Sequence, residues 1–357
     1  MNTPLDSTAS RVTLVTGAPG WLGTRLVESL VRGLPEVPAL AQPLPRAEVR
    51  CLVRAGADTT ELAALPGVVC VPGDLSSPDT LQRFVAGGHG ATLFHCAGVI
   101  HPSRLSEFEV VNAAGTRHLL DAAAQAGVRR FIHVSSNSPF GANPDREHLF
   151  TEEAPYRPYM GYGRSKMEGE QAVWQASAAG RLETVIVRAP WFYGPGQPPR
   201  QTQFFTMIRK GDFPLVGDGG NRRSMAYVDN LCQGLLLCEG ADAATGQAFW
   251  IADERPYSMN EIIETVENVM ERDFGIAVTR KRLRLPSVAS DLARMADGML
   301  QSVGLYNQKV HVLSEMNLTI ACSVEKARQR LGYHPSVNLE EGMRRSLAWM
   351  LARGIAV

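Results

Sequence analysis

From Arg11 onward the apolar positions alternate between two rhythms. Short runs dense in β-branched residues ("RVTLVTG", "EVRCLVR", "GVVCVPGD", "ATLFHCAG", "RRFIHVSS", "LETVIVRAP") read as buried strands. Between them, "WLGTRLVESLVRG" and "VVNAAGTRHLLDAAAQAGV" carry apolar residues at i, i+3 and i+4, and a further helix spans about Met160 to Ala179. Strands alternating with helices at this spacing predict βαβ units and a parallel sheet. Their crossovers are right-handed, which gives an α/β fold with a doubly wound sheet and helices on both faces.

The rhythm breaks in two places. "GLPEVPALAQPLPRAE" (33–48) has four prolines and reads as a surface insertion with no helix of its own. After about residue 190, loops such as "YGPGQPPRQ" and "PLVGDGGNRR" dilute the alternation. The expected division is a nucleotide-binding domain over 11–190 and a smaller substrate-binding lobe over 191–350, with 225–255 returning to the first domain.

Composition narrows the function classes. Lys+Arg and Asp+Glu are both 36, so the formal net charge is zero, which argues against a nucleic-acid partner. Hydrophobic content of 45% and charged content of 20% are those of a soluble globular chain. The six cysteines have no close pairing and read as reduced core residues of a cytoplasmic protein rather than as a metal site. "MNTPLDSTASR" lacks a signal-peptide pattern. No apolar run is long enough to span a membrane, and the nearest, "LPSVASDLARMADGMLQSVGL" (285–305), is interrupted by Asp291, Arg294 and Asp297. It reads as an amphipathic helix that covers the lobe core, walls an apolar pocket or touches a membrane surface.

The first chemistry-bearing motif is "TLVTGAPGWLG". It sets Gly17, Gly20 and Gly23 between the first strand and the first helix. A tight turn, a close backbone approach to a pyrophosphate and the amide-rich helix start all favour glycine there. The spacing is GxxGxxG. With "GDLSSP", "HCAG", "VNAAGTRHLL", "VSSNSPFG", "YGRSK", "RAPWFYGPG", "YVDN" and "SVEKARQRLGYHP" following in order, the chain resembles the extended short-chain dehydrogenase/reductase superfamily, in its epimerase/dehydratase group. The resemblance runs from about residue 11 to about residue 350 and implies a Rossmann domain with an NAD(P) cofactor. It places Trp21 and Leu22 beside the glycines, Asp74 and Leu75 at the adenine, Cys96, Ala97 and Gly98 under the nicotinamide ribose, and Pro190 near the ring.

At the end of the second strand stands Val53, where NAD-preferring relatives carry an acidic residue, and Arg54 follows it. A guanidinium there suits the 2′-phosphate of NADP, so NADP is the expected cofactor and NAD the alternative.

Hydride transfer at a carbinol or ketone carbon needs a proton donor or acceptor beside the oxygen. Tyr162 and Lys166 stand at i and i+4 on a helix, which lets an ammonium draw the phenol toward neutrality. Tyr159 has no such partner and reads as a pocket or packing residue. The resemblance adds Lys166 bonds to the ribose and, counting back from Gly141, selects Ser136 as the hydroxyl that holds the reacting oxygen. Ser135 and Ser138 then read as local capping groups, and Asn112 as a relay or a backbone-bonding residue.

The substrate stays open between two classes. Arg223, in "GDGGNRRSMAYVDN", occupies the place of the arginine that clamps a sugar-nucleotide diphosphate, or else belongs to a lobe interface. Trp191 replaces the asparagine usual in sugar-nucleotide epimerases. The long C-terminal lobe around Trp250–Ile262 is similar to the 3β-hydroxysteroid dehydrogenase and lipid ketoreductase branch. Asn137 and Ser138 stand where dehydratases carry an Asp–Glu pair, which disfavours dehydration. The expected activity is an oxidoreductase acting on an apolar hydroxy or keto compound. A nucleotide-sugar 4-epimerase is the alternative, and a non-catalytic NADP sensor is disfavoured because both Tyr162 and Lys166 are present. Small side chains in "NAAGTRHLLDAAAQAG" and "GEQAVWQASAAG" predict a homodimer through these two helices.

Overall fold

The computed structural model describes residues 12–43 and 46–357; Arg11 of the first strand run and Leu44 and Pro45 of the proline-rich stretch lie outside them. The six runs read as strands form β1 (Val12–Thr16), β2 (Glu48–Val53), β3 (Val68–Pro72), β4 (Thr92–His95), β5 (Arg130–Ser136) and β6 (Glu183–Ala189). Between them lie α1 (Trp21–Arg32), α2 (Thr60–Ala63), α3 (Pro78–Val85), α4 (Gly115–Gln125), entered through a π-helical turn at Phe108–Ala114, and α5 (Met160–Ala178).

The rest of the chain runs through β7 (Trp191–Tyr193), α6 (Pro199–Lys210), β8 (Pro214–Val216), β9 (Arg222–Arg223), β10 (Met225–Tyr227), α7 (Val228–Gly240) and β11 (Gln247–Trp250). It ends with β12 (Tyr257–Ser258), α8 (Met259–Phe274), β13 (Leu283–Leu285), α9 (Val288–Ser302), α10 (Gln308–Glu315), α11 (Glu325–Leu331) and α12 (Leu339–Ala352).

The main sheet has seven strands in the order β11-β6-β5-β4-β1-β2-β3, all parallel. Strand order reverses between β1 and β4, and the crevice at their carboxyl ends is where such sheets bind ligands. Register brings Thr16 level with His95, and Ser136 level with Ala189, so the residues that follow these strands share one edge. One face of the sheet is covered by α1 and α7 through Leu26, Val27, Leu231 and Leu235. The other is covered by α3, α4 and α5 through Leu81, Phe84, Leu119, Leu120 and Val173. A separate core in the lobe joins Phe205 and Ile208 to Ile262, Val266, Met343 and Leu347.

The proline-rich stretch departs from the expected surface insertion. Gly33, at φ 80°, turns the chain out of α1, and a 3₁₀ turn forms at Pro38–Leu40. Leu34 and Val37 are buried in the main core, because the Leu34 amide reaches back to the Leu40 carbonyl (2.7 Å) and folds the stretch inward. Arg46 then pairs with Glu239 at 2.6 Å.

A second departure is α9. The helix expected in 285–305 is present, but it does not present its apolar side to the lobe core. Val288, Leu292, Met295 and Met299 are all more than half exposed.

Candidate functional site

The glycine turn is specified by its own backbone. Gly17 sits at φ 92°, and a Cβ built on it would lie 2.6 Å from the Ala97 nitrogen. Cβ atoms on Gly20 and Gly23 would collide with the Gly17 backbone. The turn delivers α1 with Gly20 as N-cap, no side-chain cap and no acidic residue in its first turn. A helix start left in that condition is an anion site, so these residues fit the pyrophosphate of a dinucleotide. Leu22 and Leu75 are buried core side chains. Trp21 donates from Nε1 to the Pro195 carbonyl (2.7 Å) and packs on Phe192, which ties the turn to the loop after β7.

At the carboxyl end of β2, Arg54 extends into solvent, 82% exposed, with Nε 3.8 Å from Asp74. The Ser76 hydroxyl and amide donate to Asp74 Oδ1 (2.6 and 2.8 Å) and hold that carboxyl below its usual range. The loop Cys96–Gly98 follows β4 directly. Burial pushes the Cys96 thiol up to about 12, so this half-buried group stays protonated against the main core. Beside it His95 is fully buried, bonded to Thr16 Oγ1 (2.8 Å) and Thr116 Oγ1 (2.9 Å); burial and then the charge of Lys166 press its pKa down to about 3.

Ser136, Tyr162 and Lys166 meet at this edge. The Ser136 hydroxyl is close enough to the Tyr162 phenol to pull its pKa down, and the Ser138 amide donates to Ser136 Oγ at 3.3 Å. Ser135 faces elsewhere, its hydroxyl buried with no partner among the described residues. Lys166 is buried and donates from Nζ to the Val134 carbonyl (2.7 Å), on the neighbouring turn of backbone before Ser136. A Cβ on Gly98 would lie 3.9 Å from that Nζ, so the lysine and the ribose-side loop are adjacent.

Burial raises the Tyr162 phenol to about 12, with Ser136 opposing this, Glu315 adding to it and Arg200 opposing it. The ammonium of Lys166 is itself pressed down to about 8 by burial, with Glu170 and Cys96 acting the other way. The i, i+4 spacing puts both residues on one helix face, but the Nζ is committed to Val134. Asn112 takes the backbone-bonding role. Its side chain clips Val99 through both amide and carbonyl (2.8 and 2.9 Å) and donates to Ser165 Oγ (3.0 Å).

Around Tyr162 the structure assembles residues that no sequence motif marked. The Phe108 ring lies 5.9 Å from Tyr162, and Tyr306 stands edge-on to Phe108 at 6.2 Å. His101 bonds the Tyr306 hydroxyl (2.7 Å), and His311 packs on both Tyr306 and Tyr159 at 5.6 Å. Tyr159 thus is a wall residue, its hydroxyl 2.5 Å from Ser314 Oγ. The α9–α10 hairpin that carries Tyr306 and His311 is fastened to the start of α5 by Gln301, which accepts from the Gly161 amide (3.1 Å). Phe108, His101, Tyr306 and His311 lie 54, 61, 144 and 149 positions from Tyr162, beyond the reach of any local spacing rule.

Trp191 lines the opposite strand end, bonded through Nε1 to Gln201 (3.1 Å) and packed on Phe204. Pro190, just before it, is buried. Arg223 is half-buried and donates to the Glu315 carbonyl at the end of α10 (2.5 Å), while its buried Nε has no partner among the described residues. Arg222 forms the exposed lobe ion pair, with Glu147 at 3.3 Å.

Beneath the site, the helix that carries Tyr162 and Lys166 is anchored by Glu170. This carboxylate has no exposure and pairs with the equally buried Arg188 of β6 at 2.9 Å; Tyr156 also donates to it (2.8 Å). The Arg188 guanidinium lies 4.3 Å over the Phe140 ring.

Residues 13–252 match the NAD dependent epimerase/dehydratase family. An uncharacterised protein, y4nL, of Sinorhizobium fredii is 52% identical over 99% of this chain and 98% of its own length. The 3beta-hydroxysteroid-dehydrogenase/decarboxylase isoform 1 of Arabidopsis thaliana is 28% identical, over 94% of this chain and 78% of its own. A dTDP-glucose 4,6-dehydratase from Streptomyces venezuelae, solved with NAD and TYD bound, superposes with a TM-score of 0.72 at 25% identity, covering 96% of this chain and 98% of that one.

Proposed function

The chain belongs to the NAD dependent epimerase/dehydratase family and is an enzyme of that kind, and from that premise we propose that it is an NADP-dependent reductase of an apolar keto compound. The observation that carries the substrate class is the aromatic wall of Phe108 and Tyr306 beside Tyr162. Trp191 presents a further apolar face in place of a polar diphosphate contact. The similarity to a steroid dehydrogenase/decarboxylase points the same way.

Gly17, Gly20 and Gly23 would hold the pyrophosphate of the dinucleotide, which when bound would supply the hydride. Tyr162, a neutral phenol at about 12, gives its proton to the carbonyl oxygen as that oxygen becomes an alcohol. Ser136 donates to the same oxygen and orients it. Lys166 stands beside the ribose-side loop, where its ammonium stabilises the phenolate left behind. Arg54, with Asp74 as its ion-pair partner among the described residues, is the group for a 2′-phosphate.

A second reading keeps the same residues in a nucleotide-sugar 4-epimerase. It is favoured by the unpartnered buried Nε of Arg223 and by the nucleotide bound in the dehydratase relative. One experiment separates the two: titrate NADPH and NADH onto wild type and Tyr162→Phe, then assay apolar ketones and nucleotide sugars. The reductase reading expects tighter NADPH binding in both proteins and ketone reduction that falls by about 10³-fold in the variant. Full activity in Tyr162→Phe overturns the catalytic assignment, and turnover of nucleotide sugars alone, with NADH preferred, selects the epimerase.

A further inference from the structure

Helix α9 is built inside out. Its buried side consists of small and polar groups. Ser290 bonds the Ser314 carbonyl (2.8 Å), Asp297 pairs with His311 (2.7 Å) and receives a bond from Gln301 (3.1 Å), and Ala293 and Gly298 fill the remainder. Its solvent side carries Val288, Leu292, Met295 and Met299, at steps of four, three and four, and the row continues through Val303 to Leu305. Exposure along this row runs from 51% to 70%. Scattered apolar residues on a surface need no explanation, but a continuous row on one helix marks a face that another phase or partner covers.

The charges around the row identify what covers it. Arg280 and Arg282, just before α9, are neutralised by Glu271 and Glu267. Lys281 and Arg284 are exposed and form no ion pair among the described residues, and the same holds for Lys309, four residues after Leu305. Asp291 is the one exposed acid on the helix, 3.9 Å from Arg294. An apolar row bracketed by free cations complements an anionic lipid surface, into which the row inserts while the lysines and arginine meet headgroups. A second copy laid along the same row, in either direction, would set cations against cations.

We propose that the segment from Lys281 to Lys309 docks this enzyme on the surface of an anionic bilayer. The helix lies on the surface: among the described residues no helix is long and apolar enough to cross a membrane. The same short segment turns from the docking face to the active site, with Leu305 exposed outward and Tyr306 packed inward on Phe108. The docked enzyme therefore holds the aromatic wall of its pocket next to the lipid phase. Docking itself does not depend on which substrate is reduced.

The test is co-sedimentation of the full chain with phosphatidylcholine vesicles and with mixed phosphatidylcholine–phosphatidylglycerol vesicles. Wild type is expected to bind the mixed vesicles and to be released by salt. Lys281→Glu with Arg284→Glu should weaken binding at least about 25-fold, from roughly fivefold for each cation removed. Leu292→Ser with Met295→Ser and Met299→Ser should abolish it, while thermal melting of both variants stays that of wild type, since every changed side chain is exposed. Wild type that stays in the supernatant overturns the proposal, as does a triple variant that binds undiminished. A wild-type dimer in sedimentation velocity that the triple substitution splits, without vesicle binding by either protein, assigns the row to a second copy instead.

Discussion

The two sides of the candidate site are made by opposite means. Its floor is local and rigid: strand ends β1, β4 and β5 present Gly17, Cys96 and Ser136 on one edge, and α5 is pinned from below by Glu170. Its roof comes from far along the chain. Tyr306 and His311 belong to a hairpin that touches α5 through a few contacts, among them Gln301 to Gly161 and Tyr159 to Ser314. In the proposed reductase the floor would hold chemistry that tolerates little displacement, and the roof would select what enters. Catalytic geometry is sensitive to shifts of about 1 Å, so a buried ion pair under the floor and an adaptable aromatic roof suit their separate tasks.

The comparison breaks first at Glu170. Replacement by Gln leaves Arg188 as an uncompensated buried charge, which costs about 3–5 kcal/mol. The expected result in chemical denaturation is a large drop in the midpoint with an unchanged slope. A change under 1 kcal/mol would show that the pin carries little of the floor's stability.

A smaller effect follows from the two buried imidazoles of the floor. Unfolded, His95 and His133 titrate near the ordinary value of 6.5. Folded, burial and then the charge of Lys166 hold His95 down at about 3, and the same causes hold His133 well below 6.5. The native chain therefore binds fewer protons than the unfolded one. Their contribution to stability is complete above pH 6.5 and is lost as pH falls from there toward 3. Neither ring nitrogen of His133 has a hydrogen-bond partner among the described residues, so His133→Leu removes a titrating group without orphaning another. Melting temperature against pH should fall less steeply between pH 6.5 and 3 in this variant. An unchanged profile would assign the acid sensitivity to other groups.

The roof should yield the smallest change and a different kind of change. Phe108→Ala removes the ring between Tyr306 and Tyr162, so KM for an apolar ketone should rise about tenfold. NADPH affinity should hold, because the glycine turn and the Cys96–Gly98 loop are untouched. A matching loss of cofactor binding would mean that the two sides are not separable.

Much of the floor was legible because it is written in short-range chemistry. The GxxGxxG turn, the serine five residues before Gly141 and the YxxxK spacing each sit within one turn or one helix, where local spacing maps onto geometry. Even there a limit showed. The i, i+4 rule put Tyr162 and Lys166 on one face but said nothing of Val134, whose carbonyl takes the Lys166 Nζ. Glu170 stands four residues after Lys166, and its partner Arg188 is on another strand. Arg223 was read as a clamp or an interface group, and its bond to the Glu315 carbonyl depends on where α10 ends. The proline-rich stretch looked superficial because prolines dominate it, while Leu34 and Val37 found places in the core.

The sequence by itself determined the alternating sheet, the dinucleotide turn and the Ser–Tyr–Lys edge, because strand runs, glycine φ requirements and helix periodicity act over a few residues. Only the tertiary structure decided which face of α9 meets water. Its pattern is amphipathic whichever way it packs, and the outcome was fixed by Ser290, Asp297 and Gln301 finding polar partners in α10 and α5. Satisfying those buried polar groups outweighed burying Leu292, Met295 and Met299, and that choice placed an apolar row outside and Tyr306 against Phe108 beside Tyr162.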